Sequence, residues 1–590
     1  MWYAGNTSSW PLLLLAAPLL ILFAFSSRHF TLPLAVVAGL FGFALTAAIG
    51  VLAAYQPLTA LAKFWILIGS ILLFFGLVAQ PLENLKPILG AIALLGLVIG
   101  VYFLLTHDWE ANPADLGILN RVAMVWMAVR PTVNAPAQEP NFVGGILAVF
   151  FILTAALGVQ GFRERSWLVV IFAGGICLLL AAALLLTSSR AAWGALAVGG
   201  LGWGWWEISR RVGQTTRLPS DVLFRQGVFI FLAFAAIALL VFPSQIFAIA
   251  RAVPGENSAV TRAGLFINAV ELIPDFWLTG GGLQSFAGLY SQYILGIPFL
   301  FFEYSHNLYL DITIGQGILG AGAFLLILGS TGLILIQDFR LLRNDSSSLQ
   351  TYLPAVFACW IIFCVHGLLD DPFYGERGTP LLFLIPGIAL LIHLSLPSKL
   401  QQANSISNRL RQLPGLKYWL AAGVLVLTAA GLIMFQPVYA AAQANLGAVQ
   451  MAKVELADFP SGSWPDGSQA PALAPAVEHF NQALWYNPNQ PTANYRMGLA
   501  AMLVRDYPQA IHYLKIAYQS DPAHRGIQKA LGYSYTWAGD FQNAYALLAI
   551  LPEAPRELES YAAFWQQQGR PDLAANAVEM EKYLQLKSTP

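Results

Sequence analysis

Charge is what this chain has least of. Lys and Arg number 31, Asp and Glu 31, so charged side chains make up 11% of 590 residues, against about a quarter in soluble domains. That deficit, with a hydrophobic content of 57%, excludes a soluble globular fold. The charges cancel, and there is no basic tract or nucleic-acid-binding motif, which removes nucleic acid as a partner. Cysteine is equally sparse. Cys177, Cys359 and Cys364 each lie inside an apolar run, where they read as small fillers without metal spacing or a disulfide framework. The first apolar run, Leu12–Phe25, lacks a preceding basic residue and a small-x-small cleavage pattern, and Arg28 follows it. It reads as a retained membrane anchor.

Long apolar runs are abundant, and a helical span of hydrocarbon needs roughly 20 apolar residues. Runs at Leu12–Phe25, Leu32–Ala54, Phe64–Val78, Ile88–Leu105, Phe142–Leu157, Trp167–Leu186, Ala191–Trp206, Val228–Phe242, Leu308–Ile336, Leu353–Leu369, Leu381–Leu396 and Leu420–Phe435 predict about twelve spans. Residues 1–436 are therefore expected to form an all-α, polytopic transmembrane bundle. Arg28, Lys86, Arg163, Arg165, Arg210, Arg211, Arg340, Arg343, Lys399 and Lys417 fall in alternate joints, whereas the opposite joints hold fewer cations. The positive-inside rule then puts both termini, the loops 106–140 and 243–305, and everything after 436 outside the cytoplasm. In those loops, Leu116–Val129 and the amphipathic stretch Ser258–Ile273 could lie along the membrane surface or dip into it.

Beyond residue 473 the pattern changes. Ala476, Ala510 and Ala544 recur at intervals of 34, as do Phe480, Leu514 and Leu548, with Gly498 and Gly532, and Pro488 and Pro522, at the same period. Small residues at this period, with proline closing each unit, resemble the tetratricopeptide repeat. Residues 474–590 are expected as an extracytoplasmic α-solenoid with a concave surface, and 437–473 as a linker.

The stretch EYSHNLYLDITIGQGILG, Glu303–Gly320, puts His306 and Asn307 at the mouth of a long apolar helix. A neutral imidazole can take up a proton near physiological pH; the bland reading is a histidine satisfied at an interface. Arg190 lies in a joint with almost no loop, and Arg262 in the second long loop. Each could merely snorkel to headgroups, but two guanidiniums also form a fork for phosphate oxygens. Asn141 sits at the end of its span, where capping competes with binding. Gly280, Gly281 and Gly282 read first as a bend, and Gly315, Gly317 and Gly320 as helix-packing positions. The acid pairs Asp108/Glu110 and Asp370/Asp371 could hold a divalent ion, but acids at a loop start more often cap helices or pair with a cation such as Arg377.

In order along the chain, EPNFVGGIL (139–147), TSSRAAWGALAV (187–198), the Arg262 segment running on to Phe286, SHNLYLDITIGQGILG and HGLLDDPFYG (366–375) resemble the O-antigen ligase and polymerase superfamily. The core motifs span 139–375. These are membrane glycosyltransferases using undecaprenyl-diphosphate-linked glycans, and a tetratricopeptide region is a known companion. The resemblance implies a multi-pass protein of the plasma (inner) membrane with its site outside the cytoplasm. It implies His306 as the base, and Arg190 and Arg262 holding the diphosphate, with Asn307 and Asn141 in the binding set. It implies inversion without metal or cofactor, and a glycan, lipid or protein acceptor. Ligase, polymerase and protein O-glycosyltransferase share this core. The solenoid could grip an acceptor or a protein partner, and its deletion is expected to leave the donor site intact. The rival from another class is a small-anion, bicarbonate-like transporter, which predicts ionisable residues deep in the spans. A scaffold is a weaker reading, because one span would anchor it.

Overall fold

The computed structural model describes residues 32–216, 256–296, 302–341, 348–375, 378–396, 435–460 and 467–588. All regular structure among the described residues is helical, as apolar segments require when backbone groups must find partners within their own segment. The expected spans Leu12–Phe25 and Val228–Phe242, and Leu420–Phe435 apart from its last residue, lie outside the described residues.

The membrane part consists of α1 (Leu34–Ala53), α2 (Pro57–Val78), α3 (Leu85–Thr106), α4 (Gly117–Val129), α5 (Pro140–Arg163), α6 (Trp167–Leu186) and α7 (Arg190–Thr216). It continues with α8 (Glu256–Val270), α9 (Leu308–Leu341), α10 (Leu349–Gly367) and α11 (Leu384–Ser395). Among the described residues, 7 helices are long and apolar enough to cross a membrane: α1, α2, α3 with its preceding turn, α5, α6, α9 and α10. The chain is a helical, multi-pass membrane protein. The run Ala191–Trp206 lies within α7, and Leu381–Leu396 corresponds to the shorter α11. At the centre is α5, which packs against α3, α6, α7 and α10. Its paired glycines bring it that close. A Cβ on Gly144 would stand 2.9 Å from that of Ser189, and one on Gly145 2.7 Å from the His366 ring. The surface helix α4 buries Ala123 and exposes Ile118, Val122, Val125 and Val129.

Helix α9 is broken. Gly317 has φ 72° and ψ 179°, a left-handed φ that glycine adopts without steric cost. The backbone groups freed there are taken up by the turn 277–283: Ile318 N donates to Trp277 O (2.8 Å) and Gly281 N to Ile314 O (2.7 Å). The triple glycine is thus more than a bend. It lets one main chain lie directly on another, since a Cβ on Gly280 would fall 2.5 Å from the Gly315 carbonyl and one on Gly282 2.3 Å from Ala54 Cα.

The segment expected as a linker, 437–473, is largely helical. Helix α12 (Phe435–Glu455) packs against α13 (Ala474–Tyr486) through Ala444, Gly447 and Met451, while Ala448 and Ala452 pack against the loop carrying Leu272 and Tyr293. Small residues on both faces allow these close approaches, since a Cβ on Gly447 would fall 2.5 Å from the Phe480 ring. The helices α14 (Pro491–Leu503), α15 (Tyr507–Ser520), α16 (Arg525–Trp537), α17 (Phe541–Leu548), α18 (Ala554–Gln567) and α19 (Pro571–Ser588) follow. Neighbours in sequence pack together from α12 to α17, α18 packs on α19, and α19 also touches α16 and α17. The positions recurring every 34 residues, Ala476, Ala510, Ala544, Phe480, Leu514 and Leu548, are all buried.

Gly282 has φ 105° and no room for a side chain, so Gly282→Ala should cost roughly 2–4 kcal/mol. Gly174, which has nothing within 4 Å, supplies the control. Thermal unfolding in detergent should show Gly282→Ala melting well below Gly174→Ala; equal melting temperatures would contradict the close packing.

Candidate active site

The last turn of α6 and the first of α7 meet in a tight connection in which Ser188 has φ 52°. That reversal places Arg190 at the start of α7, where unpaired backbone N–H groups add positive potential. Its guanidinium Nε lies 3.4 Å from Asp115 Oδ2. Arg262 comes from the middle of α8. Both arginines line one cavity of about 230 Å³, together with Asn141, Glu139, Asp115 and Ser188.

His306 also has a left-handed backbone, φ 57°. Such a conformation in a non-glycine residue costs about 1–3 kcal/mol and tends to mark functional positions. Its ring stands edge-on to Tyr304 at 4.7 Å. Asn307 forms the cap of α9: its amide oxygen accepts from Tyr309 N and Leu310 N at 3.1 Å, and its amide nitrogen donates to Leu368 O at 3.0 Å. Asn307, expected in the substrate-binding set, spends its amide on this cap and on Leu368 O, and neither it nor His306 lines the cavity of the two arginines.

The two halves of the site meet on Asp370. Its Oδ1 lies 3.2 Å from His306 Nδ1 and its Oδ2 3.5 Å from Arg262 Nη2, while Arg262 Nη1 donates to Leu369 O at 3.2 Å. The Asp370 side chain has no solvent exposure. Burial pushes its carboxyl up, but the His306 hydrogen bond, with the charges of His306, His366 and Arg262, outweighs burial and holds it below the ordinary carboxylate range. An ionised carboxylate only accepts hydrogen bonds, so in this contact His306 Nδ1 is the donor and Nε2 is left facing away from Asp370. Next to it, Asp371 is driven well above the usual range by burial and by the Asp311 and Asp370 carboxylates. The two adjacent acids are thus pushed in opposite directions. Glu139 is raised by burial first and by Asp370 second.

Arg190, Arg262 and Asn141, placed apart by the sequence, line one cavity, and His306 is joined to Arg262 through Asp370. Sequence reasoning offered Asp370 a cation such as Arg377, which lies outside the described residues, where the structure pairs it with Arg262 and His306, and it missed Asp115 and Glu139. The available signal was charge balance: three cations at one end of an apolar bundle require acids nearby, and these are the acids of the same joints. Residues 175–325 match the family model described as O-antigen ligase. No curated protein and no solved structure matches the chain. The matched stretch includes Arg190, Arg262, His306 and Asn307, while Asn141 and Asp370 lie outside it. The match supports a place in the O-antigen ligase superfamily, and with it an enzyme of glycosyl transfer acting in a membrane.

Because the Asp370 carboxyl is held low in the folded protein, its stabilising contribution is present above the unfolded pKa of about 4 and is lost as pH falls through the folded value. Melting temperature should therefore fall on acidification in the wild type and fall less in Asp370→Asn. Parallel pH profiles would remove Asp370 as a charged partner.

Proposed function

We propose that the protein moves a glycan from an undecaprenyl-diphosphate carrier to an acceptor hydroxyl at the outer face of the plasma membrane, with inversion and without metal. The observation that carries this reading is the shared geometry of its cations: Arg190 and Arg262 line one cavity, and Arg262 shares Asp370 with His306. The acceptor hydroxyl gives its proton to His306 Nε2 as its oxygen bonds to the anomeric carbon. The anomeric C–O bond to the diphosphate breaks, and the electron pair leaves on the diphosphate oxygen. Asp370 holds the imidazole in the required tautomer and stabilises the imidazolium that forms. The two guanidiniums neutralise the leaving diphosphate, the kind of help worth several kcal/mol. Asn141 lines the same cavity and is suited to a sugar hydroxyl or phosphate oxygen.

In the same reading the bundle has about twelve spans, 474–590 is a tetratricopeptide solenoid, and both it and the site face away from the cytoplasm. Ligase is the reading preferred; a surface-polysaccharide polymerase or a protein O-glycosyltransferase would use the same three side chains, because each transfers a glycan to a hydroxyl. A small-anion transporter is the second reading. Lys63, 2% exposed within α2, is the observation in its favour.

The test is glycan transfer in membranes from an undecaprenyl-diphosphate donor. His306→Ala should lose at least about 10²-fold in kcat, and Arg190→Ala and Arg262→Ala about 10²-fold in kcat/KM. Full transfer by His306→Ala removes the base. Ion uptake by vesicles of purified protein, without transfer, would favour the transporter.

A further inference from the structure

The solenoid face expected to receive an acceptor or a partner is already occupied by the chain itself. Tyr495 on α14 and Lys529 on α16 stand 34 residues apart, at equivalent positions of successive repeats. Tyr495 Oη donates to Tyr293 O at 2.7 Å and Lys529 Nζ to Leu295 O at 2.5 Å. Successive repeats thus hold carbonyls two residues apart in the loop between Arg262 and His306. Gly526 leaves the room: a Cβ there would lie 2.0 Å from Tyr293 O.

A buried ion pair fixes the same face. Arg496 has no exposure, donates through Nε (3.1 Å) and Nη2 to Asp275 Oδ2, and lies 3.3 Å over the Tyr293 ring. Farther up the loop, Arg525 N donates to Glu271 Oε2 at 2.9 Å. Asp275 sits between two arms. On one side Leu272, Ala269 and Leu265 bury the helix carrying Arg262. On the other, Trp277–Leu283 is the turn that satisfies the break in α9, the helix capped beside His306. A buried pair with one partner removed leaves an uncompensated charge, so this contact resists opening.

We propose that the C-terminal helices act as an internal clamp, with Arg496 and Tyr495 as positioning residues that hold Arg262 against Asp370. The kinetic consequence rests on the glycan-transfer reading; the clamp itself does not. The packing also argues against a donor site independent of the C-terminal region.

Full-length protein in nanodiscs, as wild type, Tyr495→Phe, Gly526→Val, Arg496→Met and His306→Ala, is compared by hydrogen–deuterium exchange and by transfer kinetics from an undecaprenyl-diphosphate donor. Exchange over 262–296 should rise about tenfold in Gly526→Val and Arg496→Met, about threefold in Tyr495→Phe, and stay at the wild-type rate in His306→Ala. Donor kcat/KM should fall about tenfold in Gly526→Val with KM raised, because Arg262 shifts from the diphosphate it both binds and stabilises as it leaves, while His306 and Asp370 keep each other. A merely structural loss of folded enzyme would lower kcat and leave KM alone. Tyr495→Phe removes only a hydroxyl and carries the test if a larger change prevents folding. Unchanged exchange over 262–296 in the folded variants overturns the clamp whatever the transfer assay shows. Raised exchange with an unchanged donor KM overturns the positioning of Arg262. Undiminished transfer by His306→Ala would sink the proposed chemistry while the exchange data still decide the clamp.

Discussion

A carboxylate without solvent exposure must be surrounded by donors, and at the edge of a hydrocarbon layer there are few to be had. Asp370 satisfies that requirement with an imidazole from the start of α9 and a guanidinium from α8. Those two elements are joined through a loop and a glycine turn, so the electrostatic need of one buried group fixes the approach of two otherwise independent parts. It also acts on its neighbours: His306 is held by its Nδ1, and Asp371, raised first by burial and then by Asp311, is raised further by the Asp370 charge.

The same economy governs the main chain. A helix broken within an apolar span frees N–H and C=O groups, and such a break persists where another backbone covers it. The turn 277–283 covers Gly317 at close range because Gly280 and Gly282 carry no side chain. Asp275, two residues before that turn, is the anchor for Arg496. Contacts of the C-terminal helices therefore reach the segment whose turn covers the break in the helix that follows His306. A description of the membrane and C-terminal parts as separate bodies leaves out what connects them.

Much of this was legible beforehand, residue by residue. The long apolar runs read directly as helices, because composition and length alone decide whether a segment belongs in lipid. The buried repeat positions Ala476, Ala510 and Ala544 were visible as a period. Arg190, Arg262 and His306 stood out as cations in joints of the same side. The helix Phe435–Glu455 was missed because its stripe of alanines is weakly apolar, and its nearness to the preceding run made it look like a joint. Asn307 was read as a possible binding group because a cap and a ligand contact use the same amide, and only coordinates show where that amide is spent.

By itself the sequence determined the all-helical membrane character, the repeat, and which side chains could do chemistry at an interface, since each follows from local composition, period or charge placement. Tertiary structure alone decided that Asp370 joins His306 and Arg262 across separations of 64 and 108 residues. It alone decided that Arg496 finds Asp275 across 221. Pairing over such distances depends on how whole helices stack and where backbones can touch, and no periodicity along the chain records it.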